Sequence, residues 1–143
     1  MSSDFKFIAN RDYNNKTVTC QIQHGDSYIR NSSLITVEYM PKFLTNEEEN
    51  REVHVTHGKM FELNCESDEL PKGQVQWFFS SLKKKERTKL PEHESLLIIQ
   101  AMTEDRQGIY ECNVENVHGR IKRSFNVVDI PKGKFRWFSF FFH

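Results

Sequence analysis

Short runs of alternating apolar and polar residues recur along most of this chain, the period-two pattern of β-strands with one buried face. Phe61, Leu63 and Cys65 alternate in this way, as do Val75, Trp77 and Phe79. Further on, Tyr110, Cys112 and Val114 form another run, and Phe125 and Val127 the last. Parity holds within each run, which is the condition for one side of a strand to turn inward. Leu96 and Ile98 are expected to serve a further strand, with Ala101 at the next core position. Residues 42–55 supply two strands on either side of the acidic run Glu47-Glu48-Glu49, which reads as a solvated loop. Residues 80–94 are too polar for strands to be assigned.

The first 41 residues carry a similar but shorter pattern. Residues 4–9 alternate Phe5 and Phe7 with polar neighbours and predict a strand. Residues 11–16, rich in Asn and Asp, predict a polar turn. Residues 17–22 are β-branched and alternating, a second strand. A turn over 24–30 and a third strand over 33–39 follow. Three strands cannot close a two-layer sandwich, so this segment is expected to be poorly stable alone. Tyr39-Met40-Pro41 leaves almost no linker before the next unit, which predicts an end-to-end arrangement rather than a flexible string. At the other end, 131–143 reads as a linker followed by a densely aromatic, disordered tail, too short to span a bilayer.

Composition narrows the function. The chain has 143 residues, enough for one full domain plus a fragment, with 37% hydrophobic and 28% charged residues. Formal net charge is zero, so the basic footprint of a nucleic-acid binder is absent. The basic run Lys83-Lys84-Lys85-Glu86-Arg87 reads as a solvated loop, the alternative being a contact for sulfated glycans or an acidic partner. His54 and His57 are close, but no further ligand spacing completes a metal site. No nucleophile elbow or phosphate-cradling glycine loop occurs, so neither an enzyme nor a cofactor is expected. Asn15-Lys16-Thr17 and Asn31-Ser32-Ser33 are N-glycosylation sequons, both at predicted turns. Met1 to Phe5 lacks the basic and apolar regions of an export signal, and no stretch approaches the ~20 apolar residues of a membrane span. Read as a fragment of a larger product, the chain is expected to be extracellular.

Cys65, Trp77 and Cys112, together with Asp105, Gly108 and Tyr110, resemble the immunoglobulin-domain pattern. The resemblance implies an all-β, immunoglobulin-like β-sandwich of I-set or C2-like type. It implies a Cys65–Cys112 bridge between sheets, Trp77 packed on it, and Tyr110 as the tyrosine corner. Asp105 and Gly108 would be structural residues of the turn into strand F. Buried, reduced thiols, as in cytosolic immunoglobulin-like domains of muscle, are the alternative to the bridge. By the same likeness 42–130 is one complete domain and 1–41 only strands E, F and G of another. Cys20 then stands unpaired, its strand B partner lying upstream of Met1.

Within the superfamily, residues 17–24, Val37-Glu38-Tyr39-Met40-Pro41 and residues 110–119 resemble the nectin-like and synaptic cell-adhesion molecules. Val114 departs from that group's usual alanine. The resemblance implies cell–cell adhesion by a membrane-anchored parent, with this piece as stalk and protein-binding spacer. Its partners would be other immunoglobulin-superfamily surface molecules, pairing homophilically or heterophilically. The competing implications are a ligand-binding piece of a signalling receptor and an intracellular structural domain.

Overall fold

The computed structural model describes residues 4–46 and 50–133. Glu47-Glu48-Glu49 and the aromatic stretch from Lys134 onward, for which a loop and a disordered tail are expected, lie outside the described residues.

Eleven strands are present among the described residues. β1 (Thr17–His24) and β2 (Ser27–Leu34) form an antiparallel hairpin on their own. The other nine build a sandwich: β3 (Tyr39–Phe43), β4 (Arg51–Thr56), β5 (Phe61–Asn64), β6 (Ser67–Leu70), β7 (Gln74–Ser81), β8 (Arg87–Lys89), β9 (Leu96–Ile99), β10 (Gly108–Asn116) and β11 (Gly119–Ile130). One layer is the five-stranded sheet β4-β11-β10-β7-β8, in which β4 runs parallel to β11. The other layer comes in two ladders, β3 with β6 and β5 with β9. β5 and β6 are pieces of one course of chain. They are parted where the Asn64 Oδ1 accepts from the Glu66 amide at 2.7 Å, a local bond that competes with the ladder.

The core lies between these layers. Leu63, Cys65, Trp77, Leu97, Met102, Tyr110, Cys112, Val114, Phe125 and Val127 are buried there. Alternation in β5, β7, β10 and β11 puts the predicted residues inward. In β9 the parity is the reverse of that expected. Leu97 is fully buried and Ile98 is 44% exposed. A run of four apolar residues carries no alternation of its own, so the neighbour decides. Leu97 pairs with buried Leu63, and Ile98 with exposed Glu62. Directly paired residues share a face. The next core position is likewise Met102, not Ala101, which is only half-buried.

The first 41 residues differ more. Residues 4–10 form no strand, and Phe5 and Ile8 are exposed. Alternation makes a strand only where a neighbour supplies a ladder. The polar turn expected over 11–16 contains a single 3₁₀ turn at Arg11–Tyr13. The turn expected over 24–30 is just two residues long, with Gly25 at φ 62°. Such a tight turn fixes the register and draws Ser27–Leu34 into pairing despite its polarity. The third strand expected over 33–39 is consequently broken up: 33–34 end β2, 35–38 form no strand, and Tyr39 begins β3. β3 crosses the expected unit boundary at 41/42, with Pro41 at a register shift where no ladder donor is required.

Candidate functional site

Two arrangements stand out: a pinned centre of the sandwich, and a joint that fastens the hairpin to it. The first begins with β7 and β10. Cys112 pairs directly with Trp77, so both point to the same inner face. Cys65 comes from the facing layer at the end of β5. A disulfide joins it to Cys112, with Cα atoms 6.6 Å apart. The Trp77 ring stacks with Phe125 at 6.1 Å, and its Nε1–H donates to the Glu94 carbonyl at 2.8 Å. That bond satisfies the indole and ties the polar 91–95 stretch to the core.

The turn into β10 is fixed in two ways. The Tyr110 hydroxyl donates to the Arg106 carbonyl at 2.8 Å, four residues back. Burial pushes this phenol up to about 12, against the opposing charge of Arg106. Its ring packs edge-on to Phe61 and tilted on Phe79 at 4.5 Å. Gly108 has φ 152°, and a Cβ there would overlap the Ser80 carbonyl oxygen. Asp105 does not belong to this core. Its side chain is 90% exposed, 3.9 Å from Lys83. It lies in the 3₁₀ turn Glu104–Arg106, three residues before Gly108, and that turn points it outward.

The remaining sequence-predicted residues are dispersed. Cys20 is exposed and free in β1, directly opposite Asn31 in β2. Asn15 sits in the turn before β1 at φ 62°. Asn31 lies mid-strand rather than at a turn. Two of the four basic residues of the run are paired: Lys83 meets Glu104 at 3.1 Å, and Arg87 meets Glu111 at 2.6 Å while covering the Phe78 ring. Among the described residues no group of three or more His, Cys, Asp or Glu is arranged to hold a metal ion. No helix among the described residues is long and apolar enough to cross a membrane.

A short, restricted connection at Tyr39-Met40-Pro41 was expected from the sequence, but the residues that fasten it were not. On the hairpin side, the Ile35 amide donates to Lys16 O at 2.7 Å, the Asn15 amide donates to Ile35 O at 3.0 Å, and the Val37 amide donates to Asn14 Oδ1 at 3.1 Å. On the sandwich side, Asn116 Nδ2 donates to the carbonyls of Tyr39 (2.8 Å) and Pro71 (3.1 Å). His118 Nε2 lies 2.7 Å from Glu38 Oε2. Arg11 reaches across to Asp68 at 3.4 Å and lies over the Tyr39 ring, whose hydroxyl donates to Asp68 at 3.0 Å. That bond to the Asp68 carboxylate, with partial burial, raises the Tyr39 phenol pKa. Asn116 was visible in the sequence as part of the residue 110–119 stretch, but nothing marked its role as a clamp on the preceding strand. Arg123 was missed as well. It is 4% exposed, opposite Cys112 on β11, stacked on Phe43 and donating to Thr45 O at 2.6 Å.

Two facing β-layers pinned by a disulfide against a buried tryptophan define an immunoglobulin-type sandwich. The immunoglobulin domain profile matches residues 41–116, and the chain belongs to that family. Immunoglobulin domains are generally non-catalytic binding modules. The chain is 32% identical over 91 residues to human Hemicentin-1, which aligns with 62% of this chain and 2% of that protein. It is 33% identical over 101 residues to the muscle M-line assembly protein unc-89 of Caenorhabditis elegans, 66% of this chain and 1% of that one. The chain thus spans a very small part of these relatives. Among solved structures it is similar to DIP-gamma IG1+IG2, with TM-score 0.62, 20% identity, and coverage of 83% of this chain and 61% of that one. The titin Ig tandem A164-A165 gives TM-score 0.55 at 17% identity, covering 81% and 62%. These likenesses bear on fold alone.

Proposed function

We propose that this chain is a piece of an extracellular cell–cell adhesion molecule, working as a non-catalytic stalk and protein-binding spacer. In this reading 42–130, extended back to Tyr39, is a complete immunoglobulin domain. The described residues before Tyr39 hold the closing strands of the domain before it. The observation that carries the reading is the joint. A spacer must transmit orientation from one domain to the next, and here the connecting residues 35–40 are hydrogen-bonded on both sides. The partial-domain reading draws support from an internal repeat. A 3₁₀ turn, a cysteine-bearing strand and an antiparallel return strand occur in the same order at Arg11–Leu34 and at Glu104–Ile130. A disulfide and two sequons fit the oxidising, glycosylating export route. The partners of such a parent are other immunoglobulin-superfamily surface proteins.

The likeness to a muscle M-line assembly protein favours a second reading, an intracellular structural module. The exposed free thiol of Cys20 suits a reducing compartment equally well. The two readings part on cysteine chemistry. Thiol mapping of the native protein, alkylated before and after reduction, is expected to find Cys65 bonded to Cys112 and Cys20 bonded to a further cysteine. Three free thiols would overturn the adhesion reading in favour of the structural one.

A further inference from the structure

The two sequons are not equivalent, and the register of β1 with β2 separates them. Val18 pairs with Ser33, Cys20 with Asn31, and Ile22 with Ile29. Directly paired residues share a face, so Val18, Cys20, Ile22, Ile29, Asn31 and Ser33 all lie on one side of the hairpin. This is the side that carries the aliphatic residues along the middle of the hairpin. The other side carries Thr19, Gln21, Gln23, Arg30 and Ser32, with Tyr28 and Leu34 towards its two ends and the Thr19 and Ser32 hydroxyls 2.8 Å apart.

The second cysteine-bearing hairpin of the chain shows what becomes of such a side. There Cys112 pairs with Arg123, the counterpart of Asn31, and Val114 pairs with Ile121. Both Cys112 and Val114 are fully buried, and Arg123 nearly so, beneath the opposing layer. Facing layers in a sandwich stand about 10 Å apart. Asn31 is exposed in the hairpin as it stands, but on the partial-domain reading an opposing layer would cover this side, and an oligosaccharide on Asn31 would have to fill the gap. The sequon hydroxyl of Ser33 would point into it too.

Asn15 has the opposite setting. It precedes β1 in a turn, in the left-handed backbone region that asparagine tolerates, and it is exposed. Its backbone amide is paired with Ile35 O, and the residue itself is exposed, so its side-chain amide is reachable from solvent. Surface turns are the setting in which sequons are accepted.

We propose that Asn15 carries an N-linked oligosaccharide and that Asn31 does not, a refinement that rests on the extracellular reading above. In the transfer, the Asn15 side-chain nitrogen forms a C–N bond to the anomeric carbon of a polyprenol-pyrophosphate-linked oligosaccharide. The anomeric C–O bond breaks, polyprenyl pyrophosphate departs with the bonding electron pair, and the proton lost from nitrogen neutralises it. Oxygen-18-tagged enzymatic deglycosylation of the native protein, followed by peptide mapping, reads both sites at once. The expected result is isotope-marked Asp at 15 and unmarked Asn at 31. Marking at 31 overturns the proposal. If Cys20 is then found bonded, the extracellular reading still stands. Marking at neither site also overturns it, and the state of Cys20, Cys65 and Cys112 in the same digest then decides whether the extracellular reading falls too.

Discussion

At the scale of single residues, the turn into β10 concentrates the strongest constraints. The Gly108 backbone conformation is one that L side chains rarely adopt, and a methyl group there meets the Ser80 backbone. Backbone cannot swing aside as a long side chain can. Gly108→Ala should therefore cost about 3 kcal/mol or more, measured by urea unfolding. Tyr110 offers a subtler test. Its hydroxyl bond to the Arg106 carbonyl is worth about 1 kcal/mol, which Tyr110→Phe should lose at neutral pH. Linkage adds a pH signature. The folded phenol titrates near 12, above the unfolded value of about 10, so its contribution is complete below pH 10. Between those values stability should fall by about 1.4 kcal/mol per pH unit. The advantage of the wild type over Tyr110→Phe should therefore shrink and then reverse across that window. Parallel curves would mean that the phenol ionises while folded. Glu69 works at the other end of the scale. Burial opposes its charge, but hydrogen bonds from Ser67, Lys72 and the Gly73 amide prevail and lower its pKa. A depressed carboxylate stabilises above its unfolded value of about 4.3, and the benefit disappears as pH falls through the folded one. Glu69→Gln should accordingly shallow the acid limb of a pH–stability profile.

At the scale of elements, β9 shows what sequence patterning can and cannot fix. Parity was legible in β5, β7, β10 and β11 because polar residues punctuate those runs. It was not legible in Leu96-Leu97-Ile98-Ile99, where every choice is apolar and the pairing with Phe61–Asn64 decides. The assignment yields a direct contrast. Leu97→Ala should cost about 2–5 kcal/mol through the cavity it leaves. Ile98→Ala should stay within about 1 kcal/mol, since its side chain is half in solvent. Chemical denaturation of both variants checks the order, and a reversed order would restore the parity read from sequence. The first strand of the hairpin was legible over 17–22, but its return strand β2 was not, for a related reason. Every residue of β1 and β2 is exposed, so burial imposes no pattern, and only the two-residue turn sets the pairing. The cysteine–tryptophan–cysteine centre was the easiest part to read because its spacing is tied to the sandwich itself. Asp105 misled because its place in the pattern does not reveal that the 3₁₀ turn Glu104–Arg106 holds its side chain in solvent.

At the scale of the whole molecule, the question is whether the hairpin and sandwich move as one. The contacts that join them are hydrogen bonds and ion pairs at partly exposed positions, each worth about 0.5–1.5 kcal/mol. The apolar contribution is small: Val37 is buried, and Met40 packs against Gly119. No single bond can then hold the orientation, but bonds on both sides of 35–40 act together. Asn14→Ala releases the Val37 amide from the hairpin, and Asn116→Ala releases the Tyr39 carbonyl from the sandwich. Neither residue contributes to the buried centre around Trp77, so the double variant should leave sandwich unfolding within about 1 kcal/mol of the original. What should change is local. Hydrogen exchange at the Val37 amide should accelerate, and spin labels placed on exposed Ile22 and Ile98 should give a broader distance distribution. An unchanged distribution would mean that Arg11, Tyr39 and Asp68 suffice to hold the joint, and adding Arg11→Ala should then broaden it. A distance already broad in the original chain would remove the basis for a rigid spacer, because a joint that bends freely cannot pass orientation from one domain to the next.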